Sequence, residues 1–149
     1  MTQPGSTNDI HNIMNNQMMI NEMLSKLVGF PTIVCLVGST KFIKHFQSAA
    51  AYETLSGKIV LTVGVDFKDP RFVKSMSDFL VKKSKKQLDE LHLRKIDLAS
   101  EVLVIDIDQY VGESTMREIE YARQNGKHIR SYSEEYLNRD GFFYTSYHS

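Results

Sequence analysis

One cysteine, no tryptophan and three prolines stand among 149 residues. A single thiol, Cys35, excludes an intramolecular disulfide and a cysteine-built metal site, and it fits a reducing compartment. Charge of one sign is also missing, since 18 Lys and Arg offset 18 Asp and Glu. That balance leaves no electrostatic footprint for a nucleic-acid polymer or an anionic membrane surface. No apolar run reaches the roughly 20 residues of a membrane-crossing helix. Near the N-terminus no basic stretch leads into an apolar core, so no secretory signal is read there and a cytoplasmic protein is expected. No Cys or second His stands at ligand spacing from His92, so a metal site is not expected; no cofactor is expected.

What is present suffices for one core, because 42% of the residues are apolar and the length supports a single domain. Three parts are expected: a polar tail with a Met-rich helix over 1–30, an α/β domain over 31–132, and an aromatic tail over 133–149. Residues 1 to about 12 are polar and turn-rich, and read as unordered. Residues 13–27 place Met14, Met18, Met19, Met23, Leu24 and Leu27 at helical spacing. That helix packs on the domain or on a second subunit, or serves as a regulatory arm. Thr32–Val37 is a continuous β-branched run, the pattern of a strand buried on both faces of a parallel sheet. A helix over Lys41–Leu55 and a strand over Lys58–Val63 complete a βαβ unit. Residues 65–84 read as a loop with a short helix over the strand ends, a place for a lid. A helix over Lys85–Ala99, a strand over Glu101–Ile107, an acidic turn over Asp108–Glu113, a helix over Ser114–Asn125 and a strand over His128–Tyr132 follow. Tyr136, Phe142, Phe143, Tyr144 and Tyr147 make the tail apolar enough to cover the sheet or a neighbour.

Polar residues collect where strands end. The first strand gives Gly38, Ser39, Thr40 and Lys41; the second gives Gly64, Asp66 and Lys68. The third gives Asp106, Asp108, Gly112, Glu113, Ser114 and Thr115, with Glu118 one turn into the next helix. In a parallel sheet these ends share one edge, where open α/β folds bind ligands. Gly38-Ser39-Thr40 reads as a seat for one phosphate on free backbone N–H groups, or as a tight turn with a helix cap. If Thr115 caps its helix, Glu118 occupies the third position and can reach back as half of a capping box. Otherwise it is a carboxylate at the positive end of a helix, held ionised, as a nucleophile at an anomeric carbon requires. Asp89 and His92, spaced i, i+3, form an exposed helix pair or a catalytic one. The run Lys82-Lys83-Ser84-Lys85-Lys86 is a solvated helix start or a lid closing on a phosphorylated ligand.

Gly38-Ser39-x-Lys41, LASEVLVIDI ahead of a Gly-bearing turn, and Glu118-Ile119-x-Tyr121-Ala122 with Gly126-Lys127 resemble the nucleoside 2-deoxyribosyltransferase superfamily, which includes the 2'-deoxynucleoside 5'-monophosphate N-glycosidases. The resemblance covers about residues 32–131. It implies a flavodoxin-like three-layer α/β fold with a mainly parallel sheet of four or five strands, and homo-oligomers, dimers or larger. By the same resemblance Glu118 matches the nucleophile that attacks C1' of the sugar, and Gly38, Ser39 and Lys41 match the loop around sugar and phosphate. The departing base is then expected to take its proton from Asp108, Glu113 or water. Glu120 stands where the family carries Gly, crowding the pocket or adding a carboxylate. The expected activity is cleavage or transfer of an N-glycosidic bond of a (deoxy)nucleoside or its 5'-monophosphate. The alternative is a non-catalytic nucleotide-binding sensor or sponge of the same fold.

Overall fold

Six residues, Ile33–Gly38, form the central strand β1, and its four middle side chains are fully buried. A strand reads as an unbroken apolar run only when both faces are covered. The computed structural model, which describes residues 7–27, 29–64, 69–74 and 77–137, shows how they are covered. Helix α1 (Thr7–Lys26) precedes β1; then come α2 (Ile43–Leu55), β2 (Ile59–Leu61), the short α3 (Pro70–Val73), α4 (Asp78–Leu98), β3 (Glu101–Ile105), α5 (Glu113–Gln124) and β4 (His128–Ser131). The strands pair in the order β2-β1-β3-β4, all parallel. Helices flank both faces, so the expected flavodoxin-like three-layer α/β fold is borne out.

Alternate residues of β1 and β3 feed two cores, as the two-residue period of a strand requires. Val34, Leu36, Leu103 and Ile105 pack with Phe46 and Ala49 of α2 and with Tyr132. Cys35, Val37, Val102 and Val104 pack with Ile96 and Ala99 at the end of α4 and Ala122 of α5. Gly38 ends β1 at a close approach to β3, where a Cβ would stand 3.0 Å from that of Ile105 and 3.1 Å from its carbonyl oxygen.

Between α2 and the sheet lies a cluster of charges. Arg130 on β4 forks onto Glu53 of α2 at 2.7 and 2.9 Å, and also reaches Glu101 and Glu135, each at 2.9 Å. Lys58 bridges Glu53 and Glu101 at 3.2 and 3.0 Å, and the Tyr136 hydroxyl donates to Glu53. Burial would raise the Glu53 carboxyl, but the Arg130 and Tyr136 hydrogen bonds and the nearby cations outweigh it and bring it from 4.5 down to about 2. The cluster fastens the π-helical turn Ser133–Leu137 to the domain. Tyr136 there stacks on Tyr52 and leans on Tyr132. Of the five expected tail aromatics it is the one within the described residues; the other four lie outside them.

Two expected boundaries move by more than a helical turn. The N-terminal helix begins at Thr7 rather than near residue 13, because no Gly or Pro interrupts residues 7–26 and the helix is held along α4. Its Met14, Gln17, Asn21 and Leu24 are half-buried, and the Asn21 amide donates to the Asp97 carbonyl at 2.6 Å. Helix α4 begins at Asp78 rather than Lys85, with the Ser77 hydroxyl accepting from the Leu80 amide. The lysine run therefore lies inside a helix, where lysine is a good former, and the expected loop over 65–84 shrinks accordingly. Among the described residues no helix is long and apolar enough to cross a membrane.

Candidate active site

Strand order reverses direction between β1 and β3, and the crevice at the carboxyl ends of those strands is where such sheets bind ligands. A cleft of about 360 Å³ opens there, within the range of small-molecule sites. The end of β1 and the loop after it supply Gly38, Ser39 and Thr40, the segment after β2 supplies Val63 and Gly64, and the start of α5 supplies Gly112, Glu113, Ser114, Thr115 and Glu118. The fourth wall is α4, with Lys85, Asp89, His92 and Lys95 among its lining residues. A second hollow, about 70 Å³ at the opposite strand ends, has no ionisable side chain in its wall.

Helix α5 settles the role of Glu118 within its own helix. The N-cap is Gly112, with no side-chain cap, so Glu118 is the sixth helical residue and too far along to close a capping box. It is also beyond the first turn, where the helix dipole would hold it ionised. Instead burial, with the charge of Asp89 added, pushes its carboxyl from 4.5 up to about 7; the weaker pull of Arg117 does not offset them. The expectation of a fully ionised Glu118 is thereby corrected. Tyr121, one turn on, serves packing: its hydroxyl donates to Asp97 at 2.5 Å and accepts from Arg94 at 3.0 Å, joining α5 to α4.

Of the residues expected at the strand ends, Gly38, Ser39, Thr40, Gly64, Gly112, Glu113, Ser114, Thr115 and Glu118 do share the cleft. Asp66 and Lys68 lie outside the described residues. Lys41 departs: its Nζ stands 3.1 Å from the centre of the Tyr110 ring and 5.0 Å from that of Phe42, a cation–π seat outside the cleft wall. Tyr110 is turned into place by Asp108 and Gln109, both at positive φ (52° and 59°). Asp108 is therefore spent on the turn, exposed and outside the cleft lining. Asp106, at the end of β3, accepts from the Ser131 hydroxyl and the Ser133 amide, and so pins β4. Ser39 accepts from the Lys41 amide at 3.4 Å and caps a short 3-10 turn. Glu113 reaches the cleft rim but its side chain is 91% exposed and pairs loosely with Arg117 at 3.5 Å. Glu120 neither crowds nor charges the cleft; it is exposed and bridges to Arg123 at 2.9 Å.

The Asp89–His92 pair is not an exposed one. Both line the cleft, and His92 is 7% exposed. Its imidazole lies 3.9 Å from the Cys35 sulfur and hydrogen-bonds the Leu36 backbone; burial and then Lys95 lower its pKa, so it is neutral. The Cys35 thiol, in the core behind it, is pushed up to about 12 by burial and by Glu118, which makes it unreactive. Lys95 donates to the Thr62 carbonyl at 2.6 Å across the cleft floor. The signal that Asp89, His92 and Lys95 share one wall was their three-residue spacing on a helix. Among the described residues no three His, Cys, Asp or Glu side chains gather as metal ligands do. Comparison with protein-family models, with curated proteins and with solved structures found no match to this chain.

Proposed function

We propose that this protein cleaves or transfers the N-glycosidic bond of a (deoxy)nucleoside or nucleoside 5'-monophosphate, with Glu118 as nucleophile. The observation that carries the reading is a pair of carboxyl groups, Glu118 on α5 and Asp89 on α4, facing one cleft at the switch point of the sheet. Glycoside chemistry uses two carboxyl groups in different protonation states. Here burial and then the charge of Asp89 raise the Glu118 carboxyl to about 7, so near neutral pH it carries a proton in part of the molecules. Glu118 gives its proton to Asp89 and attacks C1' as the carboxylate. The C–N bond breaks through an oxocarbenium-like transition state, and Asp89 delivers the proton to the departing base. Water or a second base then displaces Glu118 from the sugar. Asp89 thus takes the base-handling role first expected of Asp108 or Glu113.

The test is base release from a panel of nucleosides and monophosphates. Glu118→Gln should lower kcat/KM at least about 10³-fold in a folded protein. For the wild type, kcat/KM should be bell-shaped in pH, with its alkaline limb near the Glu118 value of about 7. Unchanged turnover in the Gln variant would remove Glu118 from the mechanism. One observation favours a non-catalytic nucleotide binder instead: a glutamate held half-neutral near pH 7 is also a hydrogen-bond donor to a ligand. A nucleotide that binds and stays intact over hours on the wild-type protein would decide for that reading.

A further inference from the structure

The first helix has two faces, and only one of them is covered. Met14, Gln17, Asn21 and Leu24 turn toward the body of the domain and are half-buried. About a quarter turn away lie Ile13, Asn16, Ile20, Met23 and Leu27, the last just past the helix end. The four apolar members are 66, 48, 66 and 58% exposed in that order along the chain, and Asn16 is exposed as well. Their spacing is 3, 4, 3, 4, the period of a coiled-coil seam. We propose that this seam binds the same seam of a second copy of the chain, helix α1 against helix α1 in parallel.

Three features select that occupant. Ile13 and Ile20 are β-branched residues one heptad apart, a choice that favours two-stranded parallel packing. Asn16 is the one polar side chain in the seam, and against an apolar partner its amide would be buried without hydrogen bonds. In a parallel pair Asn16 meets Asn16, and each amide offers both the donor and the acceptor that the other lacks. The stretch from Ile13 to Leu27 also carries no charge within the seam, so neither an anionic membrane nor a charged protein finds an electrostatic hold there. The seam is short, two heptads along a helix of about 30 Å. It is already helical on the folded domain, through the Asn21 bond to Asp97, so pairing does not bear the cost of forming the helix. The proposal is independent of the reaction assigned to the cleft.

The experiment is sedimentation velocity on the full chain from about 1 to about 100 µM, the range in which a short interface changes occupancy. The wild type should reach twice the chain mass of 17.1 kDa. Ile20→Asp should sediment at the single mass with an unchanged circular dichroism spectrum, since Ile20 is exposed. Asn16→Asp and Asn16→Lys should each sediment at the single mass, and an equimolar mixture of the two should recover the doubled mass. A wild type at single mass throughout, an Asn16→Asp variant that keeps the doubled mass, or a mixture that stays single would overturn the proposal. Cosedimentation of the wild type with phosphatidylcholine vesicles, abolished by Ile20→Asp, would overturn it in favour of a membrane surface.

Discussion

Two glutamates of this domain, one fully buried and one half-buried, have been pushed in opposite directions. Glu53, beneath α2, is brought down to about 2 by a guanidinium, an ammonium and a phenol arranged around it. Glu118, beside the cleft, is raised to about 7 by burial and by another acid. A buried charge with every lone pair satisfied fastens elements together. A half-buried carboxyl left beside a like charge, in a cleft, is held in readiness for something else. Removing the partners of one and the charge of the other should therefore have opposite consequences for stability.

The largest effect should come from Arg130→Ala. It strips Glu53 of its bidentate partner and leaves an undercompensated carboxylate in the interior, a change that costs about 3–5 kcal/mol in comparable pairs. Urea denaturation should show the midpoint falling, with the turn over Ser133–Leu137 released first. The same cluster predicts acid sensitivity in the wild type. Because the folded Glu53 value lies below its ordinary 4.5, its contribution is complete above that pH and is lost as pH falls toward about 2.

Glu118→Gln should do the reverse. A carboxyl raised in the folded state makes the protein bind more protons folded than unfolded between 4.5 and about 7, so its contribution to stability declines as pH rises through that window. The Gln variant should match the wild type near pH 4.5 and exceed it at pH 8 by about 3 kcal/mol. Urea melts of both proteins at the two pH values isolate the difference, since the other titrating groups are common to both. A variant less stable than the wild type at pH 8 would mean that Glu118 holds a structural partner after all, and the contrast with Glu53 would fail.

Much of this was legible in the residues and some was not, for physical reasons. The run TIVCLV announces a doubly covered strand because burial on both faces forbids polar alternation, and the helix between the first two strands announces a parallel βαβ unit. The cleft walls from the β1 loop and α5 were legible because parallel strands deliver their carboxyl ends to one edge. Glu118 was legible as a candidate but not in its state, since its pKa depends on Asp89, 29 positions away in the chain and on another helix. Asp89 and His92 looked like a solvated pair because short-range spacing does not say which face of α4 meets the cleft. The place of Lys41 was hidden for a similar reason: its cation–π seat is created by two left-handed residues, Asp108 and Gln109, that no local propensity demands.

The smallest predicted effect bears on that hidden link. Asp89→Asn removes a negative charge while keeping nearly the same shape, so the fold should be untouched. Burial is the larger cause of the Glu118 shift and the Asp89 charge the smaller. The Glu118 midpoint should therefore move below about 7 yet stay above the ordinary 4.5. Carbon-13 NMR titration of glutamate-labelled protein would follow it, with Glu118→Gln identifying the resonance. A midpoint that drops all the way to 4.5 would make Asp89, not burial, the cause. One that does not move would separate the two carboxyls and leave Glu118 without the proton-sharing partner on which the proposed reaction depends.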